Sequence, residues 1–418
     1  MNIFSSITNY INAKDKYIIF FYSYMFLIPW NFFKWQFSVL TIILFIWCCI
    51  KFRFQIKDRV LELIKFKPLI ILIIFIFYTY ISILWSDSIN DGYSHVSSFH
   101  KYYIFIILAL FISIKAEQAM NGIKVLVISF CIYAMFSLVL SLDIINFSFL
   151  NKEIRNQNGI LAYAIGSMYM TIGAIFGLFI YLFSKNKITQ YSFLLISIIC
   201  FISLFISKSR TAQLSFLFVS LLLILIYFRK NIFKFKNLII IIILASTVLF
   251  SSFFVLKESG KIDRYYLAYT ESKEAILHNK FEGSFSLRLY FNIVGLKLFE
   301  EEPIFGSGPE DNVNYLINYQ KNDPNYTINN IYDSYHSQHI DFLTRYGLVG
   351  YLLIVCSTIY LIYLLKDNSQ VYYLALSFFL LVFFSSFSNV MLTKKPFNYI
   401  YITLFVLFSI IALKKQKE

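Results

Sequence analysis

Two arginines and a histidine, far apart along the chain, are of the residue types that phosphate-ester chemistry needs. Arg210 stands in Ser207-Lys208-Ser209-Arg210-Thr211, between two apolar runs. Arg288 falls in the first turns of 284–299, where Leu287, Tyr290, Phe291, Val294 and Leu298 recur at helical spacing. Ser284 can cap that helix, and Glu300 to Pro303 ends it. The turn Pro303-Ile304-Phe305-Gly306-Ser307-Gly308 follows, and Gly306 and Gly308 permit a tight bend or backbone approach to an anion. His336 opens His336-Ser337-Gln338-His339 on a short helix expected over 334–346, with His339 one turn further on. On the same helix Asp341 and Arg345 can pair at i,i+4.

Arginine presents a fixed fork of donors that matches phosphate oxygens and stays charged. Arg210 and Arg288, facing one outer cavity, can therefore hold a diphosphate. His336 can take a proton from a sugar hydroxyl or help to neutralise the leaving diphosphate. A polyprenyl tail would lie among the helices. Transfer from such a donor needs no ATP, because the phosphate ester is already activated. Each residue also has a plainer reading. Arginines at membrane-helix ends snorkel, and those on interfacial helices touch headgroups. A loop histidine is usually solvated, and Gly-Ser-Gly after proline is usually a turn. The order of these residues, and their placement on one side of a membrane, favours the chemical reading.

That side follows from the rest of the chain. Of 418 residues 59% are hydrophobic and 14% charged, too apolar for a soluble domain, so the class is a polytopic all-α membrane bundle. Spans are expected near 17–33, 35–50, 68–85, 102–115, 124–142, 159–184, 190–207, 211–228, 237–256, 347–365, 370–388 and 397–413, about twelve in all. The net charge of +14 comes from Lys and Arg at the ends of apolar runs, where they orient helices, so nucleic acid is not implied. The cluster Lys51, Arg53, Lys57, Arg59, Lys65 and Lys67, with the tail Lys414, Lys415 and Lys417, places both termini in the cytoplasm. The long segment 257–346 then falls outside it. This divides the chain into membrane helices over 1–256, an extracytoplasmic catalytic segment over 257–346 and membrane helices over 347–418. Arg155 opens an earlier outer loop and is a candidate substrate contact, as are Gly306, Gly308 and His339. The abundant Phe and Tyr read as lipid-facing packing and interfacial anchoring. The Asn/Tyr-rich stretch 312–333 reads as an irregular excursion. The five cysteines lie in apolar runs without metal spacing, and no metal or cofactor is expected.

Three stretches together resemble the O-antigen ligase/O-antigen polymerase superfamily of integral membrane glycosyl transferases. Ser207-Lys208-Ser209-Arg210-Thr211-Ala212 is similar to the family's S/T-x-S/T-R-x between two membrane helices. Arg288 with Pro303 to Gly308 is similar to R…P-x-x-G-x-G. His336 to Gly350 is similar to H-N-x-x-L…G-L-x-G, with Ser337 in place of Asn and His339 at a position often apolar or aromatic. The likeness runs from about Asn156 onward. It implies a GT-C-like helical fold in the bacterial inner (plasma) membrane, with the long loop in the periplasm. It also implies an inverting, metal-independent transfer in which Arg210 and Arg288 bind the diphosphate of an undecaprenyl-linked glycan and His336 sits at the catalytic centre. The acceptor would be lipid A-core for a ligase or a lipid-linked repeat for a polymerase. The run 159–184 and its spacing to Arg210 look more like the ligase branch. A polysaccharide flippase would have a similar span count, but would show internal repeats and charged midplane helices. A membrane scaffold would leave the arginines unexplained.

Overall fold

The computed structural model describes residues 15–30, 32–33, 35–142, 144, 161, 163–207, 209–228, 262–326 and 328–417. These are helical, with no strand among them. The helices are α1 (Lys16–Leu27), α2 (Gln36–Lys51), α3 (Ile56–Lys65), α4 (Lys67–Ile81), α5 (Ile89–His100), α6 (Tyr103–Ser113), α7 (Ala116–Ser141) and α8 (Tyr163–Phe183). They continue with α9 (Lys187–Ile206), α10 (Arg210–Phe228), α11 (Ile262–His278), α12 (Ser284–Glu301) and α13 (Asp311–Asn322). The last three are α14 (Gln338–Leu365), α15 (Ser369–Ser385) and α16 (Lys395–Lys417).

Among the described residues, 8 helices are long and apolar enough to cross a membrane, or up to 9 if α2 and α3, bent by 117°, make one broken span. The expected set of about twelve differs for physical reasons. α1 and α15 are apolar but shorter, with 12 and 17 residues. The span expected at 237–256 lies outside the described residues. The one expected at 102–115 is only the second half of a longer crossing, Ile89–Ser113, whose first half is too polar to read as membrane.

α16 is the most enclosed span, buried on every side from Tyr399 through Phe408. A helix apolar all round belongs in the interior. Aromatic residues fill that interior to a greater degree than the lipid-facing reading allows. Phe176 and Phe379 pack on Phe405 and Phe408 of α16, with Phe378 against Phe176, and Tyr17, Tyr24, Tyr133, Tyr169 and Tyr346 are fully buried.

The segment that carries Arg288 and His336 has its own small core of Ala275, Phe281, Leu287, Tyr290, Phe291, Val294, Leu316 and Tyr335, continuous with Ile340 of α14. The stretch 312–333 is not irregular throughout. Asn312, Val313, Leu316 and Gln320 are buried on one face of α13. Gln320 then ties down the following loop, accepting from the Tyr332 amide at 2.9 Å and donating to its carbonyl at 2.8 Å. Several tyrosines of this stretch pack against the small core instead of standing in solvent. Apolar spacing is thin in α13, so the tyrosine and asparagine content hides the helical period.

The junction between this segment and the bundle is a backbone clasp. α14 breaks at Gly347, which has φ 60° and ψ −168°. In an unbroken helix the amides of Leu348 and Val349 would bond the carbonyls of Thr344 and Arg345. Instead Leu348 N–H donates to Pro303 O (2.9 Å) and Val349 N–H to Ile304 O (3.1 Å). The two released carbonyls accept from Ser307 N–H (2.8 Å) and Gly308 N–H (3.2 Å). Tyr78 Oη closes the clasp by donating to Tyr346 O, and Trp85 Nε1 by donating to Gly306 O.

Candidate active site

The turn before α10 is fixed locally. The Gln213 side-chain amide donates to the last carbonyls of α9, those of Leu204, Phe205 and Ser207. Arg210 is therefore presented at the very start of α10. Its Nη2 donates to Ser284 Oγ at 2.8 Å, the first residue of α12. Arg288 Nη1 donates to Ser284 O, also at 2.8 Å. Two guanidinium groups from different helices thus meet at one residue. The start of α12 is held by Glu271 of α11, whose Oε2 accepts from Phe285 N–H at 2.7 Å.

His336 is brought to the same place by packing. Its ring stacks on Phe291, with centroids 5.7 Å apart and planes at 28°. Phe291 lies three residues after Arg288 on α12, on the same face. The His336 backbone has φ 53°, a left-handed conformation in which histidine is tolerated better than most side chains, and such outliers gather at functional sites. Burial holds the imidazole below its ordinary pKa. Arg288 and Lys394 depress it further, while Asp333 pulls the other way. These influences together favour the neutral imidazole.

The helix expected over 334–346 begins only at Gln338, with Ser337 as its N-cap. His336 lies before it, so the two histidines are not stacked one turn apart. The His339 ring nitrogens meet Tyr351 Oη and Phe383 O, both at 3.0 Å, and its ring packs on Phe383 and Phe387. It lines an apolar groove of about 220 Å³ with Ile354, Phe379 and Leu380. Gly306 and Gly308 make the tight turn that was one of the two uses expected of them. Their amides bond the Glu302 and Arg345 carbonyls within the protein. A Cβ on Gly306 would lie 2.5 Å from the Gly347 nitrogen, so these glycines serve close backbone docking. Arg155 lies outside the described residues.

The Asp341–Arg345 pair expected from i,i+4 spacing is present, Nε to Oδ1 at 3.0 Å. Sequence reasoning missed its partners. Arg345 Nη1 is 3.5 Å from Glu310 Oε1, and His95 Nδ1 contacts that same oxygen. His95 sits on α5, in the first half of the chain, where no motif points to it. These residues line a cavity of about 200 Å³ together with Phe99, Asp333, Ser334 and Lys394. Ser334 connects the cavity to His336, its Oγ accepting from the His336 amide at 3.2 Å.

Residues 195–355 match the family model described as O-antigen ligase, a stretch that contains Arg210, Arg288, the 303–308 turn and His336. This match supports a place for residues 195–355 in the O-antigen ligase/polymerase superfamily. No curated protein matches the sequence. The match supports an O-antigen ligase/polymerase-type membrane enzyme, and the polytopic helical fold agrees with that. The matched stretch covers α10, α12 and the clasp, but not His95 or Lys394.

Proposed function

We propose that this protein is an O-antigen ligase that moves a glycan from undecaprenyl diphosphate to lipid A-core at the periplasmic face of the inner membrane. The catalytic segment is 257–346, with the clasp fastening it to the bundle. Arg210 and Arg288 grip the diphosphate. An acceptor hydroxyl attacks the anomeric carbon of the donor sugar from the face opposite the phosphate. The new glycosidic C–O bond forms as the sugar–phosphate bond breaks, with inversion. His336 takes the hydroxyl proton, and the bond's electron pair leaves on undecaprenyl diphosphate, whose charge the two guanidinium groups balance. Cationic side chains supply the compensation that a metal ion would otherwise give. The meeting of both arginines at Ser284, beside a histidine that feels Arg288, is the observation that carries this reading.

Deleting the gene tests the branch. A ligase leaves full-length chains on the carrier lipid and a bare lipid A-core. A core bearing a single repeat would instead mean a polymerase, and unchanged surface polysaccharide would contradict both.

The base assignment has a pH signature. Activity is carried by neutral His336, so the rate falls as pH drops through a value below the ordinary 6.5. Lys394→Gln removes one of the charges that depress it. The acid limb should then move to higher pH, read from initial transfer rates between about pH 4.5 and 8. An acid limb that stays put in the variant argues that another group takes the proton.

A further inference from the structure

Resting on the reading above, we propose that the polar cavity between α5, α13 and α14 binds the acceptor sugar. Its walls are unusual for their depth. Arg345 and Asp341 are 4% and 3% exposed, yet both line open space. Burying such charges costs several kcal/mol per ion unless each is well paired. A purely structural pair could be packed solid, whereas this one borders a cavity with Glu310, His95, Asp333 and Ser334 around it. Glu310 projects into the cluster from a left-handed backbone position (φ 73°). Burial alone would raise its pKa, but the His95 hydrogen bond and the Arg345 charge outweigh that and keep it low, so it is an anionic acceptor.

The chemistry of the walls suits a sugar ring. Carboxylates accept from hydroxyls, and arginine and lysine donate to them. Phe99, whose ring lies 5.0 Å from that of His95, offers an apolar flank for sugar C–H groups. About 200 Å³ is less than the ~300–1,000 Å³ of drug-sized pockets, enough for a terminal ring and not a long glycan. Three carboxylates make the cavity a poor host for a diphosphate. Position agrees with this. Ser334 and Lys394 border the cavity and also influence His336, whereas Arg288 does not line it. Donor phosphate on the arginine side and acceptor hydroxyl on the cavity side would place the anomeric carbon between them, as inversion requires, with His336 beside the acceptor hydroxyl.

The test is a transfer assay with the full-length protein in lipid nanodiscs, using undecaprenyl-diphosphate-linked glycan as donor. The lipid A-core and lipid-linked-repeat fractions of a gene-deletion strain serve in turn as acceptors. Glu310→Gln and His95→Gln should each raise the acceptor KM at least tenfold and leave the donor KM within twofold. Arg288→Gln should do the reverse. If wild-type protein transfers to an accepted fraction, but the folded cavity variants keep its acceptor KM or lose kcat alone, the cavity is structural and this inference is wrong. If wild-type protein transfers to neither fraction, the functional reading fails and the acceptor site with it.

Discussion

Arg288→Ala is expected to lower glycan transfer by about 10²–10³-fold while the protein inserts into the membrane in normal amount. The magnitude is that of removing one preorganised donor from charge that develops in a transition state. Arg288 Nη1 donates to the Ser284 carbonyl, one turn back on its own helix. Loss of that bond leaves the small core of Leu287, Tyr290, Phe291 and Val294 in place. Arg210→Ala should act similarly. The double variant should fall well short of the product of the two effects, because both groups act on one diphosphate. Arg288→Lys should recover only part of the rate, since an ammonium cannot reproduce the planar fork. Ser284→Ala is the control for mere positioning, because it removes the hydroxyl that receives Arg210 but leaves the carbonyl that receives Arg288. A loss comparable to Arg288→Ala would shift emphasis from the charges to the scaffold. The checks are transfer rates per unit of inserted protein.

Gly347→Ala should be the most damaging single change away from the charged residues. The backbone at φ 60°, ψ −168° is a conformation that essentially only glycine adopts, and strain of this kind costs on the order of 1–3 kcal/mol. Space is lacking as well. A Cβ at Gly347 would lie 2.3 Å from Ile304 O and 2.5 Å from Gly306 N, both backbone atoms with nowhere to retreat. Accommodating it pulls the 303–308 turn away from α14 and loosens four reciprocal hydrogen bonds. The catalytic segment then loses its anchor, so activity falls with stability. The thermal midpoint of the detergent-solubilised protein should drop by on the order of 5 °C or more, since each kcal/mol moves a large domain by a few degrees. An unchanged midpoint would mean that the clasp is not what holds the segment.

The sequence shows where charge sits but not what closes around it. The spans were legible because membrane helices must be apolar over most of their length, and α12 because its buried face repeats at helical spacing. α13 escaped because asparagines and tyrosines supply most of its sides, leaving only Val313, Leu316 and Ile317 as aliphatic markers. The polar helix α5 escaped because half a span of Asn, Asp, Ser and His does not look like membrane. It is tolerated there through burial against the cavity wall, with His95 on Glu310 and His100 on Thr79. Arg210, Arg288 and His336 were readable as types in a particular order. Their convergence depends on a stacking contact with Phe291 and two bonds to Ser284, neither of which has a signature in a linear pattern. The glycine turn was readable as a turn, while its partner in the clasp was hidden because the bonds exchange between segments about 40 residues apart.

A cryo-EM structure of the full-length protein with undecaprenyl diphosphate bound would test the central claim most directly. The account predicts diphosphate density within hydrogen-bonding distance of both the Arg210 and the Arg288 guanidinium groups, with the His336 imidazole facing the terminal phosphate across the space that the transferred sugar would occupy. Density for the diphosphate at any other part of the bundle, with the Arg210 and Arg288 side chains bonded only within the protein, would contradict it.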